Sequence, residues 1–220
     1  MKVVVRRAAA AAVLVLALTG CEEQGKSPAA GSIVAPPAFG ESRPAPAPSK
    51  LVWLDPTGLI YALPEESHVG EVFVGGDPFL AQGAESVKHC AKETGAACTG
   101  LLAVAGKDME VRGNSDGTRV EFRLYAFETA EQAGTVLKSL AGKERKKSDE
   151  RGDPTQPVTV ASGADETDAF HDDATAEAFM RIGAVVAHAY TTETKPGALE
   201  HVAKVQVERV RTVAGKNAGY

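Results

Sequence analysis

From residue 51 onward, alternation and helical spacing divide the chain into a mixed series of elements. Between Arg119 and Phe127, the apolar residues Val120, Phe122, Leu124 and Ala126 alternate with Arg119, Glu121, Arg123 and Tyr125. This period of two predicts a strand with one buried face. A second extended run precedes it from Lys107, and the intervening Asn114-Ser115-Asp116-Gly117 has the residue types of a tight turn. Thr129 with Gln132 three residues later predicts a capping box, in which each side chain satisfies the other's free backbone N–H. The stripe Ala133, Val136, Leu137 and Leu140 then predicts a helix, with Lys143 to Lys147 near its C-terminal end, where the helix dipole favours positive charge. Ala176 to Ile182 and Val185 to Thr191 read as a hairpin about Gly183-Ala184. A last helix is predicted from Pro196 on the stripe Leu199, Val202, Ala203, Val210 and Val213, with Glu200 and Lys204 paired and Gly215 as its stop.

The remaining segments carry weaker patterns. Residues 51–74 hold apolar clusters broken by Pro56, Gly58 and Pro64, which fit short strands or turns. Asp77-Pro78 reads as a helix N-cap followed by proline, leading into Leu80, Ala84, Val87 and Ala91 at helical spacing and a stop at Gly95. Pro157 to Ala161 is a short strand, followed by an acidic loop. Helix, two strands, helix, three strands, helix is neither an all-helical bundle nor a regular β-α-β alternation. It predicts an α+β fold, a two-layer sandwich with helices packed on one face of a mostly antiparallel sheet.

The first twenty residues have a different character: a basic head (Lys2, Arg6, Arg7), an apolar run from Ala8 to Leu18, then Leu18-Thr19-Gly20-Cys21. This is the pattern of a secretory signal with a small-residue cleavage site. The apolar run is short for a bilayer span, which takes roughly 20 residues. Leu-Thr-Gly-Cys resembles the bacterial lipobox, which implies cleavage before Cys21 and diacylglycerol on its sulfur, often with palmitate or a similar acyl chain on the new amine. From Glu22 to Ser49 the chain is rich in Pro, Ala, Gly and Ser and poor in core-forming residues, the composition of a disordered tether with a span of ~30 Å. The expected organisation is signal peptide at 1–20, lipidated cysteine and tether at 21–50, one extracytoplasmic domain at 51–215 and a tail at 216–220. The expected location is the outer face of the bacterial cell membrane, with lipid on Cys21 as the link to the membrane.

The leader carries three of the 24 basic residues and none of the 29 acidic ones, so the rest of the chain has a net charge of −8. An acidic domain repels nucleic acid and anionic headgroups, and nucleic acid is therefore not an expected partner. With Cys21 lipidated, Cys90 and Cys98 remain, close in sequence and in an oxidising compartment, where a disulfide is expected. The competing reading is a soft-metal site from His89, Cys90 and Cys98, for which a fourth ligand is not evident.

The strand and capped helix from Arg119 to Leu140, the hairpin around Arg181-Ile182-Gly183-Ala184-Val185-Val186 and the terminal helix from Leu199 to Val213 together resemble small actinobacterial surface lipoproteins and, more distantly, the extracellular sensor domain of PknH-type mycobacterial kinases. The resemblance covers roughly Asp77 to Gly215. It implies a non-catalytic ligand-binding or interaction module and transfers no ligand residue. Sensor domains of that kind carry two disulfides, whereas this chain has cysteines for one.

One dense polar cluster stands out: Asp165, Glu166, Asp168, His171, Asp172 and Asp173. Its carboxylates are candidate ligands for a hard cation such as calcium, although the glycine-punctuated spacing of a calcium loop is missing, and the alternative is a solvated acidic loop. No cofactor is expected. A nucleophile elbow, a paired-histidine zinc helix, a Ser-x-x-Lys box and a glycine-rich phosphate loop are all absent from the sequence. His188 and His201 read as ordinary surface or edge residues. Arg145, Lys146 and Lys147 read as a charged helix end or a contact for anionic wall polymer, and Trp53 as a core residue or part of a binding surface at the tether junction. The expected function is a membrane-anchored, sensor-like ligand-binding module of the cell envelope with an unidentified envelope ligand or protein partner. The alternatives are an accessory lipoprotein of an envelope complex and, third, an envelope hydrolase.

Overall fold

A computed structural model describes residues 52–70, 73–113, 117–195 and 197–217. The expected leader and tether, Cys21, Asn114-Ser115-Asp116 of the expected turn, and Pro196 lie outside the described residues. The chain order is α1 (Pro56–Ala62), α2 (Glu66–Val69), β1 (Phe73–Gly75), β2 (Phe79–Gln82), α3 (Gly83–Thr94), β3 (Leu101–Val111) and β4 (Arg119–Phe127). It continues with α4 (Ala130–Arg151), β5 (Gln156–Pro157), β6 (Glu166–His171), β7 (Ala176–Ile182), β8 (Val185–Thr191) and α5 (Ala198–Asn217).

The strands form one antiparallel sheet in the order β1-β3-β4-β8-β7-β6-β5, with β2 also paired to β3. The α+β class and the antiparallel sheet are as expected. The layering differs, because helices cover both faces of the sheet rather than one. On one face Val120, Phe122, Leu124 and Ala126 of β4 join Ala178, Met180 and Ile182 of β7 and Val185, Ala187 and Ala189 of β8 in a core closed by α1 and α5. On the other, Tyr125, Phe127, Phe179 and Val186 pack with Cys90, Cys98 and the α4 stripe. The central strands β4, β7 and β8 are thus apolar on one face throughout and on the second face for part of their length, which a strict in-out reading of β4 does not reveal. Phe122 and Phe179 are both fully buried, and each such side chain contributes roughly 1.5–3 kcal/mol by leaving water.

Several elements follow their local signals. The Thr129 capping box is formed, with Gln132 N–H donating to Thr129 Oγ1 at 3.2 Å and Thr129 N–H to Gln132 Oε1 at 3.1 Å. The hairpin turns at Gly183-Ala184, and Lys204 meets Glu200 at 2.6 Å on α5. Gly95 ends α3 in a left-handed conformation, its N–H donating to the Ala91 carbonyl.

Other expectations are corrected. Residues 52–70 contain two short helices, α1 capped by Asp55 at 2.6 Å from Gly58 N. Phe79–Gln82 is a strand rather than the first turn of a helix, since pairing with Ala103–Gly106 of β3 outweighs the local Asp-Pro cap. The helix that follows buries Ser86, Cys90 and Thr94 and leaves Ala84 and Val87 exposed, so its inward face is rotated from the expected stripe. The strand expected over Pro157 to Ala161 is the two-residue β5, and the expected acidic loop is largely the strand β6. α4 runs four residues beyond Lys147 and α5 passes through Gly215 without stopping.

The described chain begins beside the β7–β8 turn. Ala184 N–H donates to the Val52 carbonyl at 3.0 Å, and Gly183 adopts φ +59° there. A Cβ at Gly183 would lie 2.4 Å from the Val52 carbonyl oxygen, so this turn requires glycine for both conformation and space.

Candidate functional site

The α4 stripe explains where a cavity opens. Over its first three turns the helix seats Ala133, Val136, Leu137, Leu140 and Ala141 on the sheet. Beyond Leu140 its sheet-side positions change to Glu144, Lys147 and Arg151, and the strands beneath change in step. Moving away from the Gly183 turn, β8 passes from Val186 to His188 and Tyr190, β7 from Phe179 to Glu177, and β4 from Tyr125 to Arg123, Glu121 and Arg119. Long polar side chains from both layers leave a cleft of about 470 Å³, within the range of small-molecule sites. Asp172, Ala174 and Thr175, between β6 and β7, border it.

The floor is an organised polar lattice. His188 Nε2 lies 2.8 Å from Glu177 Oε2, and its ring stacks on Phe179 at 4.2 Å between centres. Glu177 is 6% exposed, and a carboxylate so placed needs a partner of this kind. Glu121 meets Arg119 at 3.3 Å and Arg123 at 3.3 Å, and Arg123 also reaches Asp108 at 2.6 Å. Tyr190 stands directly across from Glu121 on β4 and from Glu177 on β7. Its hydroxyl accepts from Arg119 at 3.5 Å; that bond, against the opposing effect of partial burial and together with the charge of Glu121, holds the Arg119 guanidinium above its usual pKa.

At the inner end the Tyr125 hydroxyl donates to Glu93 of α3, and Glu93 lies 3.2 Å from His89. Burial first, then the charge and hydrogen bond of Glu93, raise the Tyr125 pKa well above 10, so this hydroxyl stays protonated and remains a donor. On the helical wall Lys147 bonds Glu144, and Arg151 reaches Asp172 at 3.4 Å and Asp153 at 3.8 Å.

Cys90 and Cys98 form the expected disulfide, with Cα atoms 6.2 Å apart and both residues buried. The bond removes the thiolates that the soft-metal reading needs, and His89 instead stacks on Phe79. The acidic cluster is dispersed. Asp165 accepts from Gly183 N at 2.7 Å and faces Arg181; Glu166 faces Arg181 at 3.3 Å; Asp168 receives a bidentate bond from Arg145. Asp172 accepts from the backbone N–H of Ala174 and Thr175 at 3.0 and 2.7 Å, from Thr175 Oγ1 at 2.9 Å and from Ser148 at 3.1 Å. Burial alone would raise its pKa; those hydrogen bonds outweigh it and hold the carboxyl below the usual range. Asp173 is exposed. Among the described residues no three His, Cys, Asp or Glu side chains are grouped to hold a metal ion.

The basic cluster is likewise divided, with Arg145 on Asp168 and over the Phe170 ring, Lys146 on Glu150 and Lys147 on Glu144. Trp53 is 45% exposed rather than core. His188 is not an edge residue but part of the cleft floor, on a strand in the middle of the sheet. The sequence signal for the cleft was the loss of the apolar stripe after Leu140 in a helix with no stop until Gly152.

No family model matches the chain, and no curated protein matches it. Among solved structures it is similar to the crystal structure of the extracellular domain of PknH from Mycobacterium tuberculosis, with a TM-score of 0.51 and 16% identity. The match covers 73% of this chain and 98% of that one. At this identity the likeness shows a shared fold. Among the described residues no helix is long and apolar enough to cross a membrane.

Proposed function

We propose that the chain is an extracytoplasmic, sensor-like ligand-binding module, secreted as a lipoprotein and held on the outer face of the cell membrane by lipid on Cys21. The cleft under the C-terminal half of α4 carries the binding part of this reading. It is concave, lies against a rigid sheet, and brings together polar groups from β4, β7, β8, α3 and α4 whose rotamers are fixed by mutual hydrogen bonds. The sensor-like part is supported by the fold shared with an extracellular domain, and the disulfide suits an oxidising compartment. The anchor rests on the leader and its Leu-Thr-Gly-Cys string, and on the two or more acyl chains that stable anchoring requires.

Two measurements test this. In cells fed an alkynyl fatty acid, the protein carries label and fractionates with membranes, and Cys21→Ala abolishes both; a labelled or still-tethered Cys21→Ala protein refutes the anchor. For the domain, methyl and amide NMR of residues 52–217 during a small-molecule screen is expected to show saturable shifts clustered at Glu121, Glu177, His188 and Tyr190. Hits that all map elsewhere refute the cleft as the site.

A further inference from the structure

We infer that the ligand of this cleft is a neutral polyhydroxylated molecule, a short saccharide, an assignment that rests on the reading of the cleft as the binding site. The charges on its floor are already matched. Glu177 holds His188 at 2.8 Å, and Glu121 lies between Arg119 and Arg123 at 3.3 Å from each. A charged ligand would displace one member of such a pair and leave the other uncompensated in a half-buried space, at a cost that its own contact must first offset.

The cation case is the more tempting one, because a tyrosine flanked by two carboxylates suits an ammonium group. Here the chain supplies that cation itself: the Arg119 guanidinium stands 5.3 Å from the centre of the Tyr190 ring and bonds Glu121. An anion meets a floor whose arginines are engaged and a domain that is acidic overall.

Hydroxyl groups meet neither obstacle. Each donates and accepts, so it can use carboxylate lone pairs and guanidinium N–H groups left over from the existing bonds without displacing them. Across the floor Glu121, Tyr190 and Glu177 form a single row, one residue per strand, on strands about 4.8 Å apart. A sugar ring laid through its C–H face on the side of Tyr190 away from Arg119 would leave that guanidinium in place and have a carboxylate on either side for its equatorial hydroxyls. The geometry therefore provides both halves of sugar recognition, an aromatic platform and flanking planar acceptors.

The test titrates the purified protein with N,N′,N″-triacetylchitotriose, maltotriose and mannotriose, and in parallel with spermidine and inorganic phosphate, by calorimetry with NMR mapping. At least one trisaccharide is expected to bind at the cleft with an affinity unchanged between about 50 and about 500 mM NaCl, since no ionic contact is there to be screened. Tyr190→Ala weakens it about tenfold or more, and Tyr190→Phe, which keeps the ring, restores most of the affinity. Glu121→Gln, which keeps an acceptor but loses the charge, costs less than Tyr190→Ala. Cleft binding by spermidine or phosphate alone, falling steeply with salt, overturns the saccharide assignment while leaving the cleft as the site. Trisaccharide binding that both Tyr190 variants leave unchanged, or no trisaccharide binding at ~10 mM, also overturns it; shifts that map outside the cleft remove the cleft reading as well.

Discussion

Asp172 shows how much one side chain in this protein holds together. It ties the turn before β7 through Ala174 and Thr175, the end of α4 through Ser148, and the cleft wall through Arg151. Its folded pKa lies below the unfolded value of about 4, so the unfolded chain takes up the proton first as pH falls. Its stabilisation is therefore fully present above about pH 4 and is lost as pH drops through the folded value. Asp172→Asn, which keeps one acceptor oxygen and loses the charge, is expected to cost about 1–3 kcal/mol at pH 7 and less at pH 3, below the unfolded value, where part of the charge-linked stabilisation is already gone. Urea denaturation at the two pH values measures this; an equal cost at both would show that the charge is not what matters. Of the six residues in the acidic cluster, the sequence could mark Asp172 only as one of a charged group. Its importance depends on α4, whose Ser148 lies 24 positions away.

Among the elements, those with strong local signals were the most legible: the capped start of α4, the alternating β4, and the hairpin at Gly183-Ala184. α3 was legible in part. Its stop at Gly95 was visible, but its start and inward face were not, because the β3 edge recruits Phe79–Gln82 into the sheet and the disulfide chooses the face that carries Cys90. Placing Ser86 and Thr94 inward is tolerable because each hydroxyl bonds a carbonyl of its own helix, Ser86 to Gly83 and Thr94 to Cys90. With so little hydrocarbon on its buried face, α3 depends heavily on the cross-link. Replacing Cys90 and Cys98 together by alanine is expected to cost about 2.5 kcal/mol by the chain-entropy relation, seen as a melting temperature lower by roughly 5–10 °C. Because Glu93 lies on the same helix and bonds Tyr125, the double variant should also shift the amide resonances of the inner cleft. Unchanged Tyr125 and Glu93 resonances would mean that packing alone holds α3.

For the whole molecule, the α+β class and the antiparallel sheet could be read from the order of elements, whereas the third layer could not. Period-two alternation reports one apolar face. It says little about a second face that is apolar at Tyr125 and Phe127 and charged at Arg119 to Arg123. The cleft lies along this mixed face, so Arg119, Glu121, Arg123 and Tyr125, which obscured the layering, also line it. Their grouping comes from register: Glu121, Tyr190 and Glu177 are as much as 69 positions apart and become neighbours only once β4, β8 and β7 pair.

The place where the described chain begins has a mechanical consequence. Tension arriving from the N-terminal side acts on Val52, whose carbonyl is bonded to the β7–β8 turn, while the floor of the cleft lies roughly 15–20 Å further along β8. Under load from that side the expected first event is loss of the Val52 contact, with α1 next in line, and residues 52–63 span at most about 40 Å when fully drawn out, so the gain in length is that figure less their folded span. Those twelve residues would stand in series with the sheet, so a pull from the N-terminal side is expected to draw them out before it distorts the floor of the cleft.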